Sequence, residues 1–284
     1  MFTAATGNQG PRATGQPLSR FAGKSVIVTG GGGEGLGGLL CEEFAREGAS
    51  VVVADISAER AEAVAQAILG SGGRALPVAV DVSSAASVEH MRDCAIDAFG
   101  RIDVLVNNAM FSGPDTDLVN LGESDWARPI EVVLDGAFLC SRAVLPGMIS
   151  SRAGAIVNIG SVNALAYFGN ESYSAAKAGL ASLTRSIAAR YGRHGVRANM
   201  VAPGTLRTTS PAWQARTRRD PTVFERLGDW YPLGRVWLPS DVSPAVLFLA
   251  SEEAGWISGV VLPVDGGLLS GYPKMASDLL GEER

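Results

Sequence analysis

The sequence predicts an α/β protein, a single doubly wound parallel sheet of about seven strands with helices on both faces. Three observations carry that expectation. Short runs rich in Val, Ile and Ala alternate with longer segments of helical period. The runs are apolar at almost every position, as strands covered on both faces are. Finally, Asp55, Asp81, Asn107 and Ser161 each lie just beyond or at the end of such a run, where the carboxyl ends of parallel strands form a binding crevice. A chain of 284 residues is long enough for one such domain, and no repeat or linker divides it.

Residues 1–20 are rich in Gly, Pro, Thr and Gln, lack an apolar signal core and read as a disordered arm. The domain covers residues 21–271. Residues 24–29 (KSVIVT) make a first strand, residues 30–38 (GGGGEGLGG) a glycine turn, and residues 39–47 a helix. Strand 50–54 runs to Asp55, and Ser57 is a good N-cap for a helix over 57–69. Strand 75–80 runs to Asp81, with a helix over 84–99 behind it. Strand 102–106 ends in Asn107-Asn108-Ala109. Two helical segments, 123–135 and 136–151, precede a strand over 155–159 that leads through Gly160 to Ser161. A helix over 173–191, a strand over 196–201, a helix over 240–250 and a strand over 260–264 complete the alternation. Residues 205–237 interrupt it with Trp213, Phe224, Trp230, Tyr231 and Trp237 among Arg207, Arg216, Arg218 and Arg219. An irregular insert of that length reads as a substrate lid. Residues 272–284 are a tail.

The formal charge of −5 argues against a nucleic-acid partner, because phosphate binding needs a basic face. Cys41, Cys94 and Cys140 have no metal-ligand spacing and read as reduced core thiols of a cytoplasmic protein. No apolar run reaches membrane-spanning length.

Gly31, Gly35 and Gly37, with Leu36 between the last two, give Gly-x-x-x-Gly-x-Gly between a strand and a helix. Glycines let backbone approach a pyrophosphate, and the helix N-terminus offers amide donors. Asp55, about twenty residues on, suits a carboxylate that accepts from a ribose 2′-hydroxyl and repels a 2′-phosphate. No Arg or Lys directly flanks it, so NAD is expected over NADP. Asp81, beside Val82, suits the adenine amino group, and Asn107 the wall of the groove. Tyr173 and Lys177 are four apart and share a helix face. An ammonium near a phenol lowers the phenol's pKa, which makes Tyr173 a proton donor and acceptor. Ser161 suits polarisation of a carbonyl.

Taken together, the glycine turn, Asp55, Asn107-Asn108-Ala109, Ser161, Tyr173-x-x-x-Lys177, Pro203-Gly204 and residues 263–267 (PVDGG) resemble the short-chain dehydrogenase/reductase family over residues 21–271. The resemblance implies a Rossmann-type domain, a homotetramer or homodimer, and hydride transfer between nicotinamide and a secondary alcohol or ketone. It implies that Tyr173 is the general acid/base, that Ser161 holds the substrate oxygen, and that Lys177 binds the nicotinamide ribose. Ala109, Pro203, Gly204 and Thr208 would line the cofactor, Thr208 at its carboxamide. Three positions depart from the family pattern. Either the glycine loop is one residue longer or Gly30-Gly31 replaces Thr-Gly. Met110 stands where the family has Gly, and Val133 where it has a catalytic Asn that kinks its helix and holds a relay water. The rival to an NAD-dependent enzyme of a small, fairly apolar alcohol or ketone is an NAD-binding sensor or structural subunit with little catalysis, which Val133 and the altered loop would favour.

Overall fold

A computed structural model describes residues 19–33, 35–114, 116–206, 211–271 and 273–281, with backbone only for Pro211, Ala212 and residues 273–276. The arm expected over 1–20 therefore lies almost wholly outside the described residues. Seven strands form one parallel sheet: β1 (Ser25–Thr29), β2 (Ser50–Asp55), β3 (Arg74–Ala79), β4 (Val104–Asn107), β5 (Gly154–Ile159), β6 (Val196–Pro203) and β7 (Val261–Val264). Their order is β3-β2-β1-β4-β5-β6-β7, so the chain reverses its winding between β1 and β4. Val26 faces Val51 on one side and Val104 on the other, and this register lines up the strand ends that carry the polar residues.

Alternate residues of each strand enter opposite layers, the period of a pleated strand. Val26, Val28, Val51, Val53, Val104 and Val106 pack with α1 (Leu36–Arg46), α2 (Ala58–Gly70) and α9 (Pro239–Ala250). Ile27, Val52, Leu105 and Ile156 pack with α3 (Ala85–Phe99), α5 (Gly136–Ser151) and α6 (Glu171–Tyr191). Both faces are thereby covered, as the apolar runs require.

Boundaries shift by one to three residues from those read in the sequence, and four expectations change in kind. The helices expected over 123–135 and 136–151 are one continuous helix: α4 (Glu123–Pro129), a π-helical segment Ile130–Asp135, then α5. At 29 residues Glu123–Ser151 is long and apolar enough to cross a membrane by length and composition, contrary to the expectation. Its buried side includes Cys140, Val144 and Met148 in the layer on the sheet, as a core helix demands. The insert over 205–237 is not irregular, since it holds α7 (Pro211–Arg219) and α8 (Val223–Gly228). The tail carries α10 (Pro273–Leu280).

Candidate active site

The glycine turn leaves β1 at Thr29, whose hydroxyl accepts from the backbone N–H groups of Asn108 (3.0 Å) and Ala109 (3.1 Å). Asn108 returns the tie through Nδ2 to the carbonyls of Thr29 and Gly30. Thr29-Gly30 thus occupies the strand end. Counted from Thr29-Gly30, four residues precede Gly35 where the family motif has three. Gly30 has φ +63°, and a Cβ there would sit 3.0 Å from Ala109 Cα. Gly37 matters still more: a Cβ on it would come within 2.1 Å of the Gly30 carbonyl. Gly31 plays a packing part, donating to Ala54 O at 3.0 Å, and a Cβ on it would meet Cys41 Sγ at 2.9 Å. Gly35 is the N-cap of α1 and makes no side-chain cap bond. Nothing lies within 4 Å of where its Cβ would be. Uncapped amides at a helix start, opening onto free space at the crevice, fit a pyrophosphate.

Asp55 ends β2 and is buried, with three bonds already made. Its Oδ1 accepts from Ser57 N (3.0 Å) and Arg60 Nη2 (2.7 Å), and its Oδ2 from Gly32 N (3.1 Å). A cation therefore does meet this carboxylate, contrary to the expectation. Arg60 is five residues away in sequence, on the first turn of α2, and it reaches back. Asp81 Oδ1 accepts from the backbone and hydroxyl of Ser83, and these bonds hold its carboxyl below the usual range. Its neighbour Val82 is buried and lies where a Cβ on Gly136 would collide, at 2.8 Å. The Asn107 side chain turns away from the groove, since Nδ2 donates to Asn158 Oδ1 (2.8 Å) and Ser141 Oγ (3.3 Å) in the interior.

Three side chains converge at the end of β5. Asn170, at φ 57°, caps α6 by accepting from Tyr173 N, which sets Tyr173 on the first turn and Lys177 one turn deeper. Lys177 is buried, donates to the carbonyl of Ile159, and lies 5.3 Å from the centroid of the Tyr173 ring. Ser161 follows two residues after Ile159. Its hydroxyl donates to Asn163 Oδ1 at 3.0 Å, and Asn163 Nδ2 donates to Gly169 O and Ser174 Oγ, which fixes the amide's orientation. Burial pushes the Tyr173 phenol up to about 12, with Ser161 pulling the other way. Burial likewise brings the Lys177 ammonium down to about 7. The lowering of Tyr173 expected from Lys177 is not what the structure gives: desolvation of the phenol is the larger effect, and the same desolvation brings the ammonium down. The resting phenol keeps its proton, the form a general acid needs.

Val133 is buried in the π segment, in an apolar cluster with Ala176, Leu180 and Met200, against which Tyr173 packs. The helix irregularity is present without the Asn. Pro203 ends β6, and Gly204 is pinned by the insert: Trp237 Nε1 donates to Gly204 O (2.8 Å), and Thr205 N donates to the Tyr231 hydroxyl (2.6 Å). Thr208 lies outside the described residues. In the insert Trp213 stacks on Phe224 at 5.0 Å, with Arg216 4.7 Å over the indole. Met110 and Phe111 after β4, and Leu165, Tyr167 and Phe168 after β5, are exposed apolar side chains beyond the carboxyl ends of those strands.

Sequence reasoning missed Asn163 and Arg60. Neither belongs to a recurring spacing, and only the fold sets one against Ser161 and the other against Asp55.

The family model described as Enoyl-(Acyl carrier protein) reductase matches residues 31–269. An uncharacterised oxidoreductase of Schizosaccharomyces pombe is 42% identical over 92% of this chain and 96% of its own. Cis-4-hydroxycyclohexanecarboxylate dehydrogenase of Sinomonas cyclohexanicum is 40% identical over 87% of this chain and 97% of its own. A crystal structure of an oxidoreductase of the short-chain dehydrogenase/reductase family from Burkholderia thailandensis superposes with a TM-score of 0.82 at 41% identity. That match covers 92% of this chain and 98% of the other.

Proposed function

The chain belongs to the short-chain dehydrogenase/reductase family of oxidoreductases, and from that premise we propose that it interconverts a secondary alcohol and a ketone with NAD. The observation that carries this reading is the convergence of Ser161, Tyr173 and Lys177 at the end of β5, two strands from the open glycine turn of β1. When bound, a nicotinamide dinucleotide supplies the hydride acceptor or donor. Gly35, Leu36 and Gly37 would hold its pyrophosphate, Asp55 the adenosine ribose, and Lys177 the nicotinamide ribose. Asp81, Val82, Ala109, Pro203 and Gly204 would line the rest.

In the reducing direction Tyr173 gives its phenolic proton to the substrate oxygen. Ser161 orients that oxygen, turning its own proton from Asn163 toward it. In the oxidising direction the phenolate takes the hydroxyl proton back. Desolvation raises the Tyr173 phenol, which favours the protonated form that donates in the reducing direction. The exposed apolar residues after β4 and β5 favour a fairly apolar, cyclic substrate, the class named by the cyclohexanecarboxylate dehydrogenase to which the chain is similar. A cytoplasmic homotetramer or homodimer, acting on small molecules without nucleic acid or membrane, completes the proposal.

The experiment is a panel of cyclic and linear secondary alcohols with NAD, followed by nicotinamide absorbance. NADH formation with at least one cyclic member is the expected result. Tight NADH binding with no turnover on any member would favour the sensor or structural subunit instead. Against that rival stands the intact trio, for which a protein without chemistry has no physical need.

A further inference from the structure

The Asn163 side chain joins the end of β5 to the start of α6, the two elements that carry Ser161 and Tyr173. Ser161 caps a single turn of 3-10 helix, Val162–Ala164, and its hydroxyl makes two bonds to residue 163. It accepts from Asn163 N at 3.2 Å and donates to Asn163 Oδ1 at 3.0 Å. On its far side the amide donates from Nδ2 to Gly169 O and to Ser174 Oγ, each at 3.0 Å. Ser174 itself donates to Gly169 O at 3.0 Å, and it directly follows Tyr173, whose N–H goes to the Asn170 cap.

Chemistry leaves this amide one orientation. A carbonyl oxygen only accepts, so the atom facing Gly169 O is the nitrogen, and Oδ1 is left to take the Ser161 proton. Exchanging the two ends would set oxygen against oxygen at Gly169. The far anchor is itself a constrained place. Gly169 and Asn170 stand at φ 79° and 57°, so the chain enters α6 through two consecutive left-handed residues. The amide and Ser174 both bond into that bend through the Gly169 carbonyl. Ser161 is buried, and its hydroxyl, bonded as donor and as acceptor, is held to one of the three staggered rotamers.

We propose that Asn163 is a positioning residue: it sets the Ser161 hydroxyl against the Tyr173 phenol by tying the turn after β5 to the first turn of α6. A misplacement of about 1 Å between groups that share one substrate oxygen can cost about a hundredfold in rate. Asn163 acts through Ser161, so its contribution exists only while Ser161 has a hydroxyl to place. An amide that merely steadies a loop would cost the same with or without that hydroxyl. This inference rests on the reading of Ser161 and Tyr173 given above.

The test is a double-mutant cycle of Asn163→Ala with Ser161→Ala in the full chain, using NAD and the secondary alcohol of the panel that turns over fastest. Asn163→Ala should lower kcat by about tenfold or more, with KM changed by less than about threefold and NADH affinity kept. In the Ser161→Ala background the same change should cost less than about threefold. Ser174→Ala removes one anchor of the amide, and it stands in if Asn163→Ala does not fold. Its smaller loss in kcat should likewise disappear with Ser161→Ala. Parental kcat in Asn163→Ala, or losses that multiply in the double variant, would overturn the role. A crystal structure of Asn163→Ala gives a reading independent of turnover: Ser161 Oγ should shift or occupy more than one rotamer, and a single unmoved rotamer overturns the role as well. If no alcohol of the panel turns over, or Ser161→Ala keeps parental activity, the proposed function fails, and the position of Ser161 Oγ still decides this inference.

Discussion

At the scale of single residues, the chemistry turns on two groups, the buried Lys177 and the partly buried Tyr173, whose ordinary protonation is disturbed in opposite senses. Burial pushes the Tyr173 phenol up to about 12 and brings the Lys177 ammonium down to about 7. Tyr173→Phe should lower turnover by about a hundredfold or more while NADH titration stays near the parent value, since only the transferable proton is lost. Activity within a few-fold of the parent would sink the proton-transfer role. Lys177 gives a stability prediction with a definite sign. Its folded pKa is depressed, so from about 7 upward to its unfolded value of 10.5 the unfolded chain binds more protons and folding gains as pH rises. Lys177→Met should therefore be more thermostable than the parent at pH 7, with the gap shrinking as pH approaches 10. Calorimetry of both proteins across that range reads this directly, and a pH-independent gap would contradict it. Tyr173, with its pKa raised, acts with the other sign and only above 10, where its contribution fades as pH climbs toward about 12.

At the scale of elements, the glycine turn and the π segment hold those residues in place. α1 touches the loop before it through Gly37, where a Cβ would stand 2.1 Å from the Gly30 carbonyl. Gly37→Ala must push the helix from the loop, at a cost of about 1–3 kcal/mol in urea unfolding, and NADH affinity should fall with it. An alanine variant with parental stability and affinity would show that the turn yields freely. The π segment Ile130–Asp135 packs on α6, where a Cβ on Gly179 would strike Leu134 at 2.7 Å, and Val133 is sealed among Ala176, Leu180 and Met200. Restoring the family Asn there would bury an amide in apolar surroundings. Val133→Asn should destabilise the fold by about 1–3 kcal/mol, measured by denaturant midpoint. No loss would mean that the amide finds a partner or water in the segment.

For the whole molecule, sheet order and helix layers bring the ends of β1, β2, β4, β5 and β6 to one edge, and the insert over 205–237 is tied to that edge through Trp237 and Tyr231. Elsewhere Trp256 is fully exposed, and Phe138 on α5 and Leu238 before α9 are each 45% exposed. Exposed apolar side chains of this size suit association with copies of the same chain. Sedimentation equilibrium at micromolar concentration should return two or four times 29.5 kDa, and a monomer would remove the oligomer from the proposed function.

How much of this was legible without coordinates follows from range. The seven strands, the two helix layers and the glycine turn were readable because each depends on local period and composition, which neighbouring residues carry. Ser161, Tyr173 and Lys177 were readable for a similar reason, through a short spacing with a shared helix face. The sequence by itself thus determined the fold class, the order of elements and the trio at the strand end. The tertiary structure alone decided the rest: that Arg60 pairs with Asp55, that Asn163 Oδ1 accepts from the Ser161 hydroxyl, that Asn107 faces inward, and that desolvation raises the Tyr173 phenol. Each of these depends on which groups lose water and which partner comes within bonding distance, and only the packed chain sets those distances.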